Sequence, residues 1–472
     1  MTRTASFNHR YYSYLGLGIF LLLGVLAVLF YVERVAFMDA SYQLFMVIYQ
    51  GDFAIQSGRF GAISTQVFPL LATKLGASLK MVMLSYSLSF IAFPLILYLW
   101  LSRWFRIQIM PLCLALFYVL MVSHTFYWIQ SELIQACTLN LFFWGIVLER
   151  KTISKGIYIL LLLVLSGIVF THPLAFIPFL FCLSFSFFSG VNKNVLYLSL
   201  TIVVLLMIVK YGLLPIQSYD AASLTNGKNL IHFYKFFSFI STRRFFKYCL
   251  TDYYLFPILL TCVSWFYYNK RDWSKLVLVW LFVLGYLVLV HSSYPWGPPQ
   301  FHMESFYQIL CIFVLLPFCY DFLPNLPRKH DRSFLILVIL LLSFRMAHIS
   351  IEHQPYTKRL HWMQALLDQT EQIPGTKFAI SEADVPIELV KNGWASPFET
   401  LLLSAIENPD STRSVFIYNK DVDISSKLSK KRHLLTPFSD LPYESLPAVY
   451  FNLQDTGAYK ILDLQLLPPI PQ

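Results

Sequence analysis

Charged side chains are scarce in this chain. Asp, Glu, Lys and Arg make up 13% of its 472 residues, and hydrophobic residues make up 57%. That charged share is about half of what a soluble globular protein carries. Because a soluble protein of this length needs a charged surface, the composition excludes a wholly soluble chain. Aromatic residues reach 17%, which is typical of membrane helices and of the aromatic belts at the membrane interface.

Several sequence signatures are also missing. No Walker loop and no dinucleotide-binding glycine fingerprint occurs, which argues against an ATP-driven pump and against a nucleotide-sugar enzyme. The cysteines show no zinc-ligand or disulfide spacing, and residues 351–472 contain none. The predicted outer regions have no Asn-x-Ser/Thr acceptor, which favours a bacterial envelope over the endoplasmic reticulum.

The net charge of +10 does not predict nucleic-acid binding. The basic residues fall in small groups between apolar runs instead of forming one patch, as in the cytoplasmic loops of membrane proteins. We therefore expect membrane lipids, and no nucleic acid, among the partners of this chain.

Apolar runs of about 20 residues predict membrane-spanning helices. The clear candidates are 14–32, 80–101, 107–124, 132–149, 195–212, 253–269, 276–292, 305–320 and 333–350. The stretch 157–189 is too long for one span and is divided by Thr171-His172-Pro173. Because proline interrupts the helical hydrogen-bond ladder, it predicts two short helices, 157–170 and 174–189. The sequence thus predicts a polytopic α-helical membrane protein with about eleven transmembrane helices.

The distribution of Lys and Arg over the short loops sets the predicted orientation. With the divided stretch counted as two spans, the basic loops alternate with loops that lack Lys and Arg, which places the N-terminus inside. The transmembrane domain then covers 1–350, with outer loops 33–79 and 213–252. Residues 351–472 form a less apolar, mixed α/β soluble domain on the outer face.

Local patterns predict the elements of that C-terminal domain. Helical spacing covers Tyr356 to Gln372 and Phe398 to Ile406. Short runs rich in β-branched and aromatic residues predict strands at Lys377 to Ile380, Ser414 to Tyr418 and Ala448 to Leu453.

The first outer loop is the most informative segment for function. Asp39 lies just beyond the first span, and residues 39–50 have the pattern of an amphipathic helix lying on the membrane. Its aromatic side, with Tyr42, Phe45 and Tyr49, would face the apolar phase, and residues 61–74 predict a second such helix. Asp39 is either a general base or metal ligand at the interface or the N-cap of its helix.

This plan resembles the GT-C superfamily of membrane glycosyltransferases, which includes protein O-mannosyltransferases and aminoarabinose transferases. The resemblance covers most of the chain and its motif is Met38-Asp39-Ala40, where many members have an Asp-Glu pair. It implies transfer of a sugar from a polyprenyl-phosphate carrier to an extracytoplasmic glycan, lipid or protein. It also implies a catalytic role for Asp39, with a divalent ion such as Mg²⁺ or Mn²⁺ as a cofactor there. The implied location is the bacterial inner membrane, with residues 351–472 in the periplasm.

Other polar residues near the predicted outer face complete the candidate site. Glu132 and His302 are expected to share an outward cavity with Asp39 as further catalytic groups. The candidate substrate-binding residues are Arg59, Arg243, Arg244, Lys247, His172 and Glu304. The arginines and Lys247 are cationic donors suited to a carrier phosphate, or alternatively to anionic lipid headgroups. His172, at the helix break, would border the groove for the lipid tail.

Three other functions fit the same sequence. A lipid-linked polysaccharide polymerase or ligase also has many spans, but usually places its large outer loop late in the chain. A transporter or flippase often shows internal repeats and matched broken helices, and neither is visible here. A non-enzymatic envelope assembly protein remains the third alternative.

Overall fold

The fold was obtained as a computed structural model. It describes residues 9–105, 109–129, 132–150, 154–213, 226–326, 331–419, 424–454 and 457–463. The α-helices up to the middle of the chain are α1 His9–Leu29, α2 Tyr31–Val35, α3 Met38–Gln50, α4 Ile63–Lys74, α5 Leu79–Leu99, α6 Met110–Phe117, α7 Glu132–Glu149, α8 Lys155–Val169, α9 Phe176–Phe188 and α10 Lys193–Ile208. Those that follow are α11 Ile240–Thr251, α12 Leu255–Lys270, α13 Trp273–Ser293, α14 Gln300–Pro317, α15 Asp331–Ile351, α16 Gln354–Glu371, α17 Ile387–Val390, α18 Ser396–Ala405 and α19 Ser425–Leu428.

Long apolar helices make this chain a helical membrane protein. Within the described ranges, six helices are long and apolar enough to cross a bilayer. They are Leu79–Trp104, Glu132–Glu149, Lys193–Leu213, Trp273–Ser293, Gln300–Asn325 and Leu335–Glu371. The pair α11 and α12, bent by 86°, would bring the number to seven if it forms one broken span. Three shorter apolar helices, Tyr14–Leu29, Lys155–Val169 and Pro173–Phe188, accompany them, and the count of eleven spans stays a prediction.

Two predicted membrane segments, 157–189 and 107–124, can be compared directly with the structure. The predicted division of 157–189 is confirmed: α8 ends at Val169, and a 3₁₀ turn at Pro173–Ala175 leads into α9. The predicted span 107–124 is wrong. Its helix α6 covers only Met110–Phe117, and residues 118–129 form turns, because this segment is packed inside the protein and its polar backbone groups find protein partners there.

Helix α14 forms the centre of the bundle. All residues from 307 to 320 are buried, as expected for a helix that is apolar on every side. By contrast, α10 and α15 expose apolar side chains such as Leu205, Leu337 and Phe344. An exposed apolar surface of this extent fits contact with lipid.

The two helices predicted in the first loop are confirmed as α3 and α4. The predicted orientation of α3 is wrong. Its aromatic face packs on the C-terminal residues instead of lying on lipid: the Tyr42 ring lies 5.0 Å from that of Phe398, and Phe45 lies 5.1 Å from the same ring. An amphipathic pattern specifies an apolar face, and it does not distinguish a protein surface from a membrane.

The C-terminal unit, residues 354–463, is mixed α/β as predicted. Its parallel sheet has the order β2-β1-β5, with β1 at Lys377–Ser381, β2 at Ser414–Tyr418 and β5 at Lys460–Ile461. A hairpin of β3 His433–Leu435 and β4 Asp440–Pro442 lies beside it. The predicted strand at Ala448 to Leu453 is wrong. That segment is a turn followed by irregular chain whose Tyr450 and Phe451 are buried, so its apolar residues serve the core without joining a sheet.

A second hydrophobic core joins the C-terminal unit to the first loop. It contains Leu44 and Phe45 of α3, Tyr86 of α5, and Phe378 and Leu401 of the C-terminal unit. The end of the bundle that carries this core will be called the domain end. Helix α16 also follows α15 after a short turn. The C-terminal unit is therefore attached to the bundle both by the chain connection and by packing.

A buried ion pair lies in the middle of this junction. Arg359 of α16 contacts Glu399 of α18 at 2.5 Å, and their side chains are 4% and 0% exposed. Glu399 also accepts a hydrogen bond from the backbone N–H of Met38 at 2.6 Å. Arg359 donates to the backbone oxygens of Val390 at 3.0 Å and Ala36 at 3.3 Å. One pair thus holds the start of α3 against the C-terminal unit.

We predict that Glu399→Ala destabilises the protein strongly. Removing one partner of a buried ion pair leaves an uncompensated charge and costs about 3–5 kcal/mol. The melting temperature of the purified protein in detergent should fall clearly. The control is Glu407→Ala, which breaks the exposed Lys80–Glu407 pair and should change it little. Equal effects of the two substitutions would contradict the central position of Arg359–Glu399.

Candidate functional site

Asp39 lies in the first turn of α3. The N-cap position belongs to Phe37, whose side chain makes no capping bond, so Asp39 is not the cap that the sequence left open as an alternative. Met38 has a left-handed backbone with φ of 44°, and its N–H is held by Glu399. The start of α3, and with it the Asp39 carboxyl, is therefore fixed by the C-terminal unit.

Asp39, Glu132 and Arg59 come together at the domain end. Arg59 was predicted as a contact for the carrier phosphate, and here it is paired with Glu132 instead. Arg59 Nη1 lies 3.6 Å from Glu132 Oε2, and both charges act on the Asp39 carboxyl. Gln43, one turn after Asp39 on α3, contacts Glu132 Oε1 at 3.5 Å and accepts a 2.9 Å hydrogen bond from the Tyr86 hydroxyl. The acidic group is thus assembled from the first loop and the start of α7.

Burial is the main reason why the pKa of Asp39 is raised, to about 6, and the negative charge of Glu132 adds to it. The Trp128 indole, the helix backbone and Arg59 act in the opposite direction. The Trp128 indole acts as a hydrogen-bond donor toward the carboxyl, which favours the charged form. A carboxyl poised near neutral pH suits a general base.

His302 packs on the Trp128 ring beside this acidic group. The two rings are 5.6 Å apart, and Trp128 also packs on Phe301 at 4.7 Å. The structure thus brings the three predicted catalytic residues to one region. His302 reaches this region through its ring contact with Trp128, and it is not among the groups that act on the Asp39 carboxyl.

His172 lies at the break between α8 and α9, where its Nδ1 accepts a hydrogen bond from the Leu174 N–H at 3.2 Å. Burial, followed by the charges of Arg59 and Lys210, lowers its pKa to about 3, so it is neutral at physiological pH. The cavity beside it is only about 10 Å³, the space of a single water molecule. The tail groove predicted at His172 is therefore not open in this structure.

A cavity of about 290 Å³ lies between the bundle and the C-terminal unit. Three cations line it: Arg244 of α11, Arg359 of α16 and Lys391. Among the described residues that line it there is no Asp or Glu. Phe37 and Phe301 form part of its wall, and Phe301 packs on Trp128. One layer of aromatic rings thus separates this cationic cavity from the Asp39 group.

The three basic residues predicted on the 213–252 loop separate in the structure; residues 214–225 of that loop lie outside the described chain. All three are exposed on α11, and Arg243 and Lys247 are not among the residues that line the cavity. Arg244 lines the cavity and donates to the backbone oxygen of Gly297. Gly297 has φ of 68°, and a Cβ there would lie 3.2 Å from the Ser241 nitrogen, so glycine permits this close approach.

Glu304 is completely buried and surrounded by protein donors. It accepts hydrogen bonds from the backbone N–H groups of residues 123–125, from the Thr125 hydroxyl at 2.6 Å and from the Tyr253 hydroxyl at 2.9 Å. These contacts tie the 118–129 turns to α14. Its predicted substrate-binding role would require a ligand to displace these donors.

Asp39 is not part of a three-ligand cation site formed by the described residues. Its neighbouring carboxyl, Glu132, is already paired with Arg59. In the part of the chain that the structure describes, the group of ligand side chains close enough to share an ion is Asp252, His348 and Glu352, which excludes Asp39.

Sequence reasoning missed several residues of this region. Arg359 lies in a helix that was predicted from its apolar spacing alone. An arginine on the buried side of a helix indicates a buried ion pair. Glu399 is likewise a charged residue on the buried side of α18. Trp128 and Lys391 carried no such signal, because their positions depend on contacts between distant segments.

Comparisons with known proteins do not assign the chain to a family. No protein-family model, curated protein or solved structure matches it. The site's own geometry is therefore the basis for any functional proposal.

We predict opposite shifts in the pKa of Asp39 for two neutralising substitutions. Glu132→Gln removes a negative neighbour and should lower this pKa below about 6, whereas Arg59→Gln removes a cation and should raise it. Infrared difference spectra of protein labelled with ¹³C-aspartate would follow the carboxyl. Shifts in the same direction, or none, would show that Asp39 does not share an electrostatic site with these residues.

Proposed function

We propose that this protein is a membrane glycosyltransferase of the GT-C type. It would move a sugar from a polyprenyl-phosphate carrier to an acceptor hydroxyl on the outer face of a bacterial inner membrane, where the C-terminal unit would be periplasmic. The observation that carries the proposal is the pairing of two neighbouring environments. One is a carboxyl with a pKa of about 6, and the other is a cavity whose described lining residues include three cations and no acid.

Asp39 would act as the general base. Its carboxylate would accept the proton of the acceptor hydroxyl while the hydroxyl oxygen attacks the anomeric carbon of the donor. The bond from that carbon to the carrier phosphate would break, and the phosphate would leave with the electron pair. Attack from the side opposite the leaving group inverts the anomeric centre.

The cationic cavity would hold the phosphate as its charge increases. Arg244 and Lys391 offer N–H donors there, and a guanidinium binds phosphate oxygens in a two-point geometry. Arg359 is already bound to Glu399, so it would shape the wall more than it would supply free charge. Fixed donors aimed at a developing negative charge are usually the largest contribution to catalysis of this kind.

The first test is Asp39→Asn. Membranes containing the protein would be given a panel of polyprenyl-phosphate-linked sugars with a cell-envelope acceptor fraction, and release of the free carrier phosphate would be measured. The substitution should reduce turnover by about 100-fold or more, in line with loss of a general base. Turnover by the wild type should also fall as the pH drops through about 6, because the base is then protonated.

The matched control is Asp52→Asn, which neutralises an exposed acid of the same loop and should leave turnover unchanged. Normal turnover by Asp39→Asn would exclude the proposed base. Movement of lipid-linked sugar across vesicles without any transfer would instead support the flippase alternative.

The second test compares two adjacent arginines of α11. Arg244→Gln should raise the KM for the lipid-linked donor by about 10- to 100-fold, the loss expected for one charge-assisted hydrogen bond. Arg243→Gln, which neutralises an exposed neighbour outside the cavity, should have a much smaller effect. Equal effects would indicate general attraction to anionic lipids instead of a defined phosphate site.

A further inference from the structure

A second cluster of titratable groups lies at the domain end, apart from Asp39. His348 Nε2 lies 3.2 Å from Asp252 Oδ1 and 3.8 Å from Glu352 Oε1. One ligand atom from each of these three residues lies within 4.8 Å of the others. Two ligand atoms bound to one zinc ion about 2.0–2.2 Å away are separated by about 3.3–3.5 Å, so only a small closure would give shared coordination.

The carboxylates are oriented by neighbours on their outer sides. Asp252 Oδ2 accepts hydrogen bonds from the Thr251 hydroxyl at 2.7 Å and from the Gln300 amide at 3.1 Å, which leaves Oδ1 facing His348. Glu352 Oε2 faces His124 Nε2 at 3.5 Å, while Oε1 faces His348. Hydrogen bonds that fix the second oxygen of a ligating carboxylate are typical of protein metal sites.

His348 faces two carboxylates at once. Its Nε2 lies 3.2 Å from Asp252 Oδ1 and 3.8 Å from Glu352 Oε1, and its side chain is half-buried. A single N–H could serve only one of them, whereas a metal ion at this point would satisfy all three groups. His348 and Glu352 are four residues apart, one turn along the same side of the α15 end, a spacing that presents two ligands together.

The nearby guanidinium of Arg345 donates mainly to backbone oxygens and makes no hydrogen bond to the two carboxylates among the described contacts. Its partners are the backbone oxygens of Val119 at 3.0 Å, Val122 at 2.5 Å and Asp252 at 2.6 Å. Glu304 is the largest negative charge acting on it, and Asp252 acts on it more weakly. Two carboxylates held this close repel one another unless a cation lies between them.

We propose that Asp252, His348 and Glu352 bind one divalent transition-metal ion, of the class of Mn²⁺ or Zn²⁺. Two carboxylate oxygens and one imidazole nitrogen suit these ions. Three protein ligands leave a coordination position for water or for a ligand. The ion would link the α11–α12 bend to the end of α15, and His124 and Gln300, which hold its carboxylate ligands, also line the cationic cavity. The site is independent of whether the protein transfers sugars.

The test is metal binding by the full-length protein in detergent. After treatment with EDTA, the protein would be equilibrated with Mn²⁺ or Zn²⁺ and desalted, and bound metal would be counted by mass spectrometry. The wild type should retain about one ion per chain and gain melting temperature with added metal. Asp252→Asn, His348→Gln and Glu352→Gln should each weaken binding by about 100-fold or more, since loss of even an outer-shell partner costs 10–100-fold.

Controls separate this site from others and from misfolding. His361→Gln and Glu388→Gln replace exposed residues of the same types and should bind like the wild type. Asp39→Asn should also retain the ion, because Asp39 lies outside the cluster. Metal-free variants should melt where the metal-free wild type melts. The inference is overturned if the wild type holds no ion, if the cluster variants bind normally, or if Asp39→Asn is the variant that loses it.

Discussion

The buried pair of Arg359 and Glu399 is the interaction on which the domain end depends. Glu399 holds the first N–H of α3, and Arg359 holds the backbone of Ala36 and Val390. Two desolvated charges in this position are costly unless each is satisfied, and here both are. The position of Asp39 follows directly, since it is the next residue after the one whose N–H Glu399 accepts.

A division of charge follows from this arrangement. On one side of the aromatic layer of Phe37, Trp128 and Phe301, the acidic pair Asp39 and Glu132 faces Arg59. On the other side, cations line a cavity that has no acid among its described lining residues. In the proposed reaction, this separation would keep the general base from neutralising the cations that hold the leaving phosphate.

Sequence patterns correctly predicted the elements that are specified by local hydrophobic periodicity or by local helix-breaking residues. The break at Thr171-His172-Pro173, the two helices of the first loop, and strands β1 and β2 all follow from short-range rules. What failed depended on distant packing. The run 107–124 is apolar enough for a span but is built into the protein as a short helix and turns. Ala448 to Leu453 has strand-like composition, yet Tyr450 and Phe451 only fill the core.

Prediction of the site was limited in the same way, because contacts between distant segments decide which residues meet. Asp39, Glu132 and Arg59 could be nominated because charged residues beside apolar runs are rare and therefore conspicuous. Arg244 could be distinguished from Arg243 and Lys247 only by knowing how α11 is rotated about its axis. Phe245 and Cys249 set that rotation because they pack on the bundle. The triad of Asp252, His348 and Glu352 required the meeting of a helix bend with the end of α15, which no local pattern encodes.

The most direct test of the account is a structure of the protein in lipid nanodiscs with a short-chain prenyl phosphate. We expect the phosphate between Arg244 and Lys391, with the first isoprene unit directed toward the bilayer and Asp39 on the opposite side of the aromatic layer. A phosphate bound at Arg243 and Lys247 on the exposed face of α11, with the cavity empty, would contradict the proposed donor site and the function built on it.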